Sequence, residues 1–448
     1  MKAYYCLVFF IAFSFSAVAQ EVLQPVSMSL EECISYALEN NEQLRIASLE
    51  KDRAKAVVGE TRAEGLPQVD INGGLNYNYE VQKSLIDLSN FDPTLPEGTE
   101  GEIAFGQAYD GNIALGVSQL LFDGSYFVGL QAAQTFRELS AKDYLRTEID
   151  IVEGVAKAYY TVLINEERLL LLDRNYGRLD TLLFETSQMY ENGFAEKIDV
   201  DRIRVNFNNV RVERNRLQRL NEVGVKLLKF QMGMNIYQPL TLTDNLSDVD
   251  LTPPLVENEF DYNDRVEFSQ VLTNQNLARL DLRNNKVQYL PKLSANFNYG
   301  YNTATSESSN LFQTSRWLNF GTIGMSVSIP VFDGLRKSYK IQQNKMQIEQ
   351  LEYEKTFLQK NIDIEIEQAR VSLESSLASL EVSQQNMELA DEIFSITKIK
   401  FQEGVGSNLE VVDADTSLKE AQTNYYSALF DAIIAQIELN KALGRLKQ

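Results

Sequence analysis

The sequence predicts a mainly α-helical chain that also supplies strands to a membrane β-barrel, the whole built from one unit used twice. Three observations predict it. First, the chain repeats itself in order. Leu66-Pro67 and Leu290-Pro291 each open an alternating segment, Phe122-Asp123-Gly124 and Phe332-Asp333-Gly334 each close one, and a long helical stretch, a glycine break and a second helical stretch follow each time. The Phe-Asp-Gly triplets lie 210 residues apart and the breaks at Gly193 and Gly404 lie 211 apart. Internal self-similarity must be found before the elements are assigned, because each unit is one structural module. Second, four segments alternate apolar and polar residues with the period of a strand. Third, residues 335–403 contain neither Gly nor Pro, the residues that weaken helices most.

Taking the elements in order, Lys2, the apolar run Leu7 to Phe15 and the small-residue site Ala17-Val18-Ala19 read as a secretory signal over residues 1–19, in preference to a buried N-terminal helix. Export leaves Cys33 as the one remaining cysteine, so no intrachain disulfide is available. Residues 20–236 form the first repeat. It holds a helix from Leu30 to about Ala63, a strand pair within 67–122 and a helical hairpin over 124–233. Residues 237–262, rich in Pro and Asp, connect the repeats and have room for a short strand or two. Residues 263–448 form the second repeat, with a helix from Arg265 to about Tyr289, a strand pair within 291–332 and a hairpin over 334–446.

In the first strand, Val69 to Tyr79, the residues Val69, Ile71, Gly73, Leu75, Tyr77 and Tyr79 alternate with Asp70, Asn72, Gly74, Asn76 and Asn78. The others place Ile113, Leu115, Val117 and Leu121, then Leu293, Ala295, Phe297, Tyr299 and Tyr301, then Ile323, Met325, Val327, Ile329 and Val331 on one face, against small polar neighbours. Such segments have the ~9–11 residues a tilted strand needs to cross hydrocarbon, with a face suited to a wet barrel interior. A soluble sheet with one wet face is the alternative. Tyr77, Tyr79, Tyr299 and Tyr301 would form one interfacial belt, with Phe122 and Phe332 near the other. Four strands cannot close a barrel, and open edges are not tolerated in lipid, so several chains must share one. The acidic stretch Gln82 to Gln107 and its counterpart Thr303 to Arg316 read as exposed tips.

A helix over 335–403 would span ~100 Å. Ile366, Leu373, Leu380, Met387, Phe394 and Phe401 recur every seven residues, and Ala369, Ser376, Ser383, Ala390 and Thr397 follow the first five by three. This is a large-small seam for knobs-into-holes packing. Subtracting 211 projects it onto Val155, Val162, Leu169, Tyr176, Leu183 and Tyr190. Composition narrows the function. The chain has no histidine, which removes His-based nucleophile pairs, His metal sites and most acid–base designs at neutral pH. A formal net charge of −21 opposes binding to nucleic acid. Neither an enzyme, a cofactor nor a bound metal is expected.

With Ser29-Leu30-Glu31-Glu32, Ala37-Leu38-Glu39-Asn40-Asn41, both Leu-Pro openings, both Phe-Asp-Gly exits, and the breaks followed by Asp199-Val200 and Glu410-Val411-Val412-Asp413-Ala414, the chain resembles the outer-membrane efflux protein family, the TolC-like exit ducts. The resemblance implies a homotrimer with a shared twelve-stranded barrel in outer-membrane lipid and a periplasmic α-helical coiled-coil tunnel. It implies a passive channel for efflux or type I secretion, coupled to a periplasmic adaptor (membrane fusion) protein and an inner-membrane transporter. A periplasmic coiled-coil adaptor or interaction protein is the alternative, and it leaves the strands unexplained.

The resemblance also carries residue roles. Glu410 and Asp413, with Asp199 from the first repeat, would line the constriction, where a ring of carboxylates would attract cations and repel anions. Ser407-x-x-Glu410 equally reads as a capping box, with acids favoured in a first helical turn. Gly193, Phe194, Gly404, Val405 and Gly406 would form hairpin tips that meet the adaptor, although a plain αα turn also needs the glycines. Where the family often has Arg at the tip this chain has Gly406, and Lys197 is a candidate replacement.

Overall fold

A computed structural model describes residues 25–446, except residues 92, 93, 95 and 253–259. The signal over residues 1–19 and the prolines Pro93, Pro253 and Pro254 lie outside the described residues. In chain order come β1 (Val26–Met28), α1 (Leu30–Asn40), α2 (Glu42–Ala63), β2 (Gln68–Tyr77), β3 (Lys83–Asp87), β4 (Glu100–Ala104), β5 (Tyr109–Phe122), α3 (Gly124–Glu191) and α4 (Lys197–Gln231). There follow β6 (Leu240–Leu242), α5 (Val266–Val287), β7 (Lys292–Thr305), β8 (Leu318–Ser328), α6 (Arg336–Gln402) and α7 (Asn408–Ala442).

The four long strands form one antiparallel sheet in the order β2-β5-β7-β8. Register keeps the apolar face continuous: Val69 pairs with Val117, Val117 with Phe297, and Phe297 with Ile323. A one-residue slip in any pair would turn an apolar set to the opposite face. At the end remote from the helices Tyr77 stacks on Tyr109 with ring centroids 4.9 Å apart, and Tyr299 meets Tyr301 at 5.9 Å. β8 ends at Ser328, short of the expected Ile329 and Val331, because Pro330 has no N–H for the ladder.

The strands pass directly into helices. In the first repeat Asp123 caps α3, its carboxylate accepting the Ser125 N–H at 2.7 Å and lying 2.8 Å from Lys292 Nζ. The second Phe-Asp-Gly exit is built differently. Gly334 and Leu335 both adopt left-handed backbone (φ 68° and 66°), and Asp333 accepts the Lys337 N–H at 3.2 Å. α3 and α6, with 68 and 67 residues, are each ~100 Å long. α3 packs along α4 and α6 along α7, while α2 and α5 flank the upper part. Among the described residues no helix is long and apolar enough to cross a membrane.

Three expectations are corrected. The helix read from Leu30 to Ala63 is two helices. Asn41 takes extended backbone, its side-chain oxygen caps α2 at Gln43 and Leu44, and its Nδ2 donates to Gln231 O at the end of α4. A Cβ on Gly233 would meet Asn40 O at 2.6 Å, so the chain after α4 sits directly against this break. The stretch Gln82 to Gln107 is not only a loop: β3 and β4 pair antiparallel within it, with Lys83 Nζ 2.9 Å from Glu102. The projected seam of α3 holds at Val155 and Val162, which are buried, but Tyr190 is exposed. Lower down the buried positions are Asn175, Leu179, Leu182 and Thr186, because α3 there faces α7 as well as α4. In α6 the expected Leu373, Phe394, Phe401, Ala369 and Ala390 are buried. In the inter-repeat connection β6 pairs in parallel with β1, Val26 opposite Leu240.

Candidate constriction and hairpin tips

Both hairpins turn by the same device. In the first, Gly193 takes left-handed backbone (φ 79°), the Gly193 N–H donates to Tyr190 O and the Phe194 N–H to Met189 O at 2.8 Å. In the second, Gly404 is left-handed (φ 74°), and the N–H groups of Val405 and Gly406 both donate to Lys400 O at 3.0 Å. These bonds satisfy carbonyls that a helix end leaves without partners. Phe194 is 80% exposed and Val405 79%. Gly406 is not left-handed; a Cβ there would lie 3.0 Å from Lys400 Cβ and 3.1 Å from Phe401 N, so the turn itself asks for glycine.

Just past each turn the returning helix is capped. Ser407 Oγ accepts the Glu410 N–H at 3.3 Å, half of the expected capping box. In the first repeat the Asp199 carboxylate accepts the Glu196 N–H at 3.2 Å and lies 3.8 Å from the Arg202 guanidinium. Glu410 and Asp413 differ. They lie outside the buried stripe of Val411, Ala414 and Leu418 on α7, both are exposed, and among the described residues neither carboxylate has a hydrogen bond or ion pair. Lys197 is also exposed and pairs with neither of them.

One apolar cluster fixes these positions. Leu179 and Leu182 of α3, Ile203 and Val210 of α4, Phe394 and Phe401 of α6, and Val411 and Leu418 of α7 pack together, so the two hairpins share one core near the tips. Above it lies a polar layer that sequence reasoning missed. Asp415, 1% exposed, has Arg178 Nη2 at 2.9 Å and Lys419 Nζ at 2.8 Å. The Arg178 guanidinium lies over the Phe394 ring at 4.3 Å, and Asn175 Nδ2 donates to Gln422 Oε1 at 3.0 Å. The signal was present: Val411, Asp415, Leu418 and Gln422 are spaced 4-3-4 along α7, so two seam positions are polar.

Further up, α3 and α7 are joined by charge. Lys441 Nζ lies 2.6 Å from Glu153 and 3.1 Å from Asp150, and Lys157 Nζ lies 2.9 Å from Glu153 and 2.8 Å from Glu438. Burial alone would raise the Glu153 carboxyl, but the two lysines outweigh it and hold it below the usual carboxylate value. No group of metal-binding side chains occurs among the described residues.

Known proteins match this arrangement over most of the chain. The family model of the Outer membrane efflux protein matches residues 33–222 and 264–445. Outer membrane protein TolC of Vibrio cholerae is 20% identical over 425 residues, covering 94% of this chain and 91% of that protein. The proteases secretion protein PrtF of Dickeya chrysanthemi is 20% identical over 430 residues, covering 94% and 89%. The solved structure of CusC, 18% identical, superposes with a TM-score of 0.76 over 93% of this chain and 92% of that one, which is a likeness of fold. The duplicated strand pairs, the two hairpins and the family match over both repeats agree, and the chain belongs to the outer membrane efflux protein family.

Proposed function

We propose that three copies of this chain form a passive exit duct, with a shared barrel in the outer membrane and a helical tunnel in the periplasm. The observation that carries this is the four-stranded sheet. It has one continuous apolar face and, among the described residues, two unpaired edges, β2 and β8. Edges in lipid must be paired, and three copies of the sheet supply twelve strands. A soluble adaptor-like reading accounts for the hairpins but gives this sheet no use. The duct works with a periplasmic adaptor and an inner-membrane transporter in efflux or type I secretion, and Phe194 and Val405 are the tip contacts we assign to the adaptor. As a conduit it needs no catalytic group or cofactor.

Glu410 and Asp413 are the constriction residues in this reading. Three copies bring six carboxylates together, all free of internal partners. Asp199 contributes less to the field, because the Glu196 N–H and Arg202 already hold it. Native mass spectrometry of the detergent-extracted outer-membrane fraction tests the assembly: a trimer is expected, and a soluble monomer or dimer overturns the duct. Reversal potentials of single channels in a salt gradient test the ring. Cation preference is expected to fall in the Glu410→Ala/Asp413→Ala variant, and an unchanged preference removes the ring from the constriction.

A further inference from the structure

One wide cleft of the described chain lies away from the long helices. It holds about 750 Å³ and lies against the sheet, between β2, β5 and β7 on one side and the segment joining β7 to β8 on the other. That volume is typical of sites for small ligands. Its position on the sheet is fixed by register. Leu75 pairs with Gly111 and Gly111 with Thr303, while Gly73 pairs with Ile113 and Ile113 with Tyr301. These rows belong to the same face as Val69, Val117 and Phe297, the face turned to lipid in a barrel. Trp317 covers it directly: a Cβ on Gly111 would meet the Trp317 ring at 3.0 Å. Gly73 and Gly111 carry no side chain in adjacent rows, so the face is hollowed there. The segment over the hollow joins two strands at the end away from the helices, which is the outer end of the barrel.

The roof is ordered and apolar. Trp317 Nε1 donates to Leu311 O at 2.9 Å, and Leu311 and Phe312 complete the lining, with Phe312 itself exposed. Between the lining residues Thr314 and Trp317 stands Arg316. Its guanidinium donates to Gln313 Oε1 at 3.3 Å and has no ion pair among the described residues. An unpaired cation beside an apolar hollow is notable in a chain of net charge −21. The hollow is continuous with the lipid-facing surface, and its lining has few groups able to satisfy a peptide backbone, which lipid surroundings would demand. We propose that this cleft seats an acyl chain of an outer-leaflet lipid whose phosphate headgroup is net anionic, with no cation of its own to compensate it, and that the phosphate sits on Arg316. The assignment rests on the apolar face of the sheet meeting lipid.

Trp317 is the single tryptophan of the chain, so its fluorescence reports this cleft alone. The detergent-solubilised full-length oligomer is titrated with phosphatidylglycerol carrying brominated acyl chains, and separately with brominated phosphatidylcholine. Saturable quenching at about one lipid per chain is expected, with half-saturation roughly fivefold lower or more for the anionic lipid. Arg316→Gln is expected to remove that preference. Gly73→Leu, where the nearest atoms to an added Cβ are 3.6 and 3.8 Å away, fills the hollow and is expected to abolish the saturable phase. Phe312→Asp opens the roof without touching the sheet and is expected to weaken it, should the glycine variant not assemble. Quenching that is merely linear in lipid, or absent because a neighbouring chain covers Trp317, overturns the proposal. Equal half-saturation for both headgroups overturns the role of Arg316. Oligomer mass, read on the same sample, reports the shared barrel separately.

Discussion

At the scale of single residues, what surrounds a side chain decides what it does. Glu410 and Asp413 are three residues apart on one helix face, exposed and without internal partners, whereas Asp199 accepts a backbone N–H and faces an arginine. Similar acids after similar turns are therefore not equivalent. Cys33 shows the opposite extreme. It is fully buried, and burial, with the charges of Asp244 and Glu32 behind it, pushes the thiol up to about 12. The thiolate is the reactive form. Cys33 is therefore expected to resist N-ethylmaleimide at pH 7.5 until the protein is unfolded, as read by the mass of its peptide; rapid labelling of Cys33 in the native protein would contradict its burial. Leu335 is the one non-glycine residue with left-handed backbone among the described residues. Holding a side chain there costs about 1 kcal/mol or more, so Leu335→Gly is expected to leave the denaturation midpoint unchanged or raised, against the usual penalty for glycine near a helix.

At the scale of elements, the two hairpins are coupled where α3 meets α7. The Arg178–Asp415 pair is enclosed, and Lys419 adds a second cation. Removing one partner of a buried pair leaves an uncompensated charge, at a cost of about 3–5 kcal/mol in full burial. With Lys419 still present, Arg178→Ala is expected to destabilise by about 2–4 kcal/mol, while replacing Arg178 and Asp415 together by leucine costs less than the sum of the single changes. A thermal denaturation cycle on the detergent-solubilised protein measures the coupling, and strict additivity would mean that the pair does not hold the hairpins together. The α1–α2 break is a second element-scale effect. Its helical sequence is overridden because the end of α4 comes directly against Asn40 and Asn41.

For the whole molecule, stability depends on charge at the repeat boundary. Glu153 joins α3 to Lys441 of α7, and its folded carboxyl titrates below the ordinary 4.5. Its contribution is therefore present above the unfolded value and is lost as pH falls from about 4.5 through the depressed folded value. Lys157 and Lys441 have the opposite sign. Their folded values are raised above 10.5, so their contributions are present below that pH and lost as pH rises through the folded values. Glu153→Gln is expected to cost about 1–3 kcal/mol at neutral pH and to flatten the loss of stability on acidification below about pH 4.5. Melting midpoints recorded across pH 3–7 for both proteins check this, and parallel curves would move the acid sensitivity elsewhere.

Much was determined by the sequence alone. Strand faces follow from period-two alternation, and the long helices from an uninterrupted run with a seven-residue seam. The turns follow from Gly193 and Gly404, where backbone angles unfavourable to other residues are required. Each of these is set by neighbours along the chain, so each is legible locally. The tertiary structure decided the rest. It joined Arg178 to Asp415 across 237 residues, broke the first helix at Asn41, shifted the lower seam of α3 toward α7, and folded Trp317 over Gly111. The candidate constriction divides the same way: the spacing of Glu410 and Asp413 is written in the sequence, but their lack of partners depends on which faces of the hairpins meet. Such contacts arise from the register between elements far apart in the chain, and periodicity within one element carries no record of the face its distant partner will present.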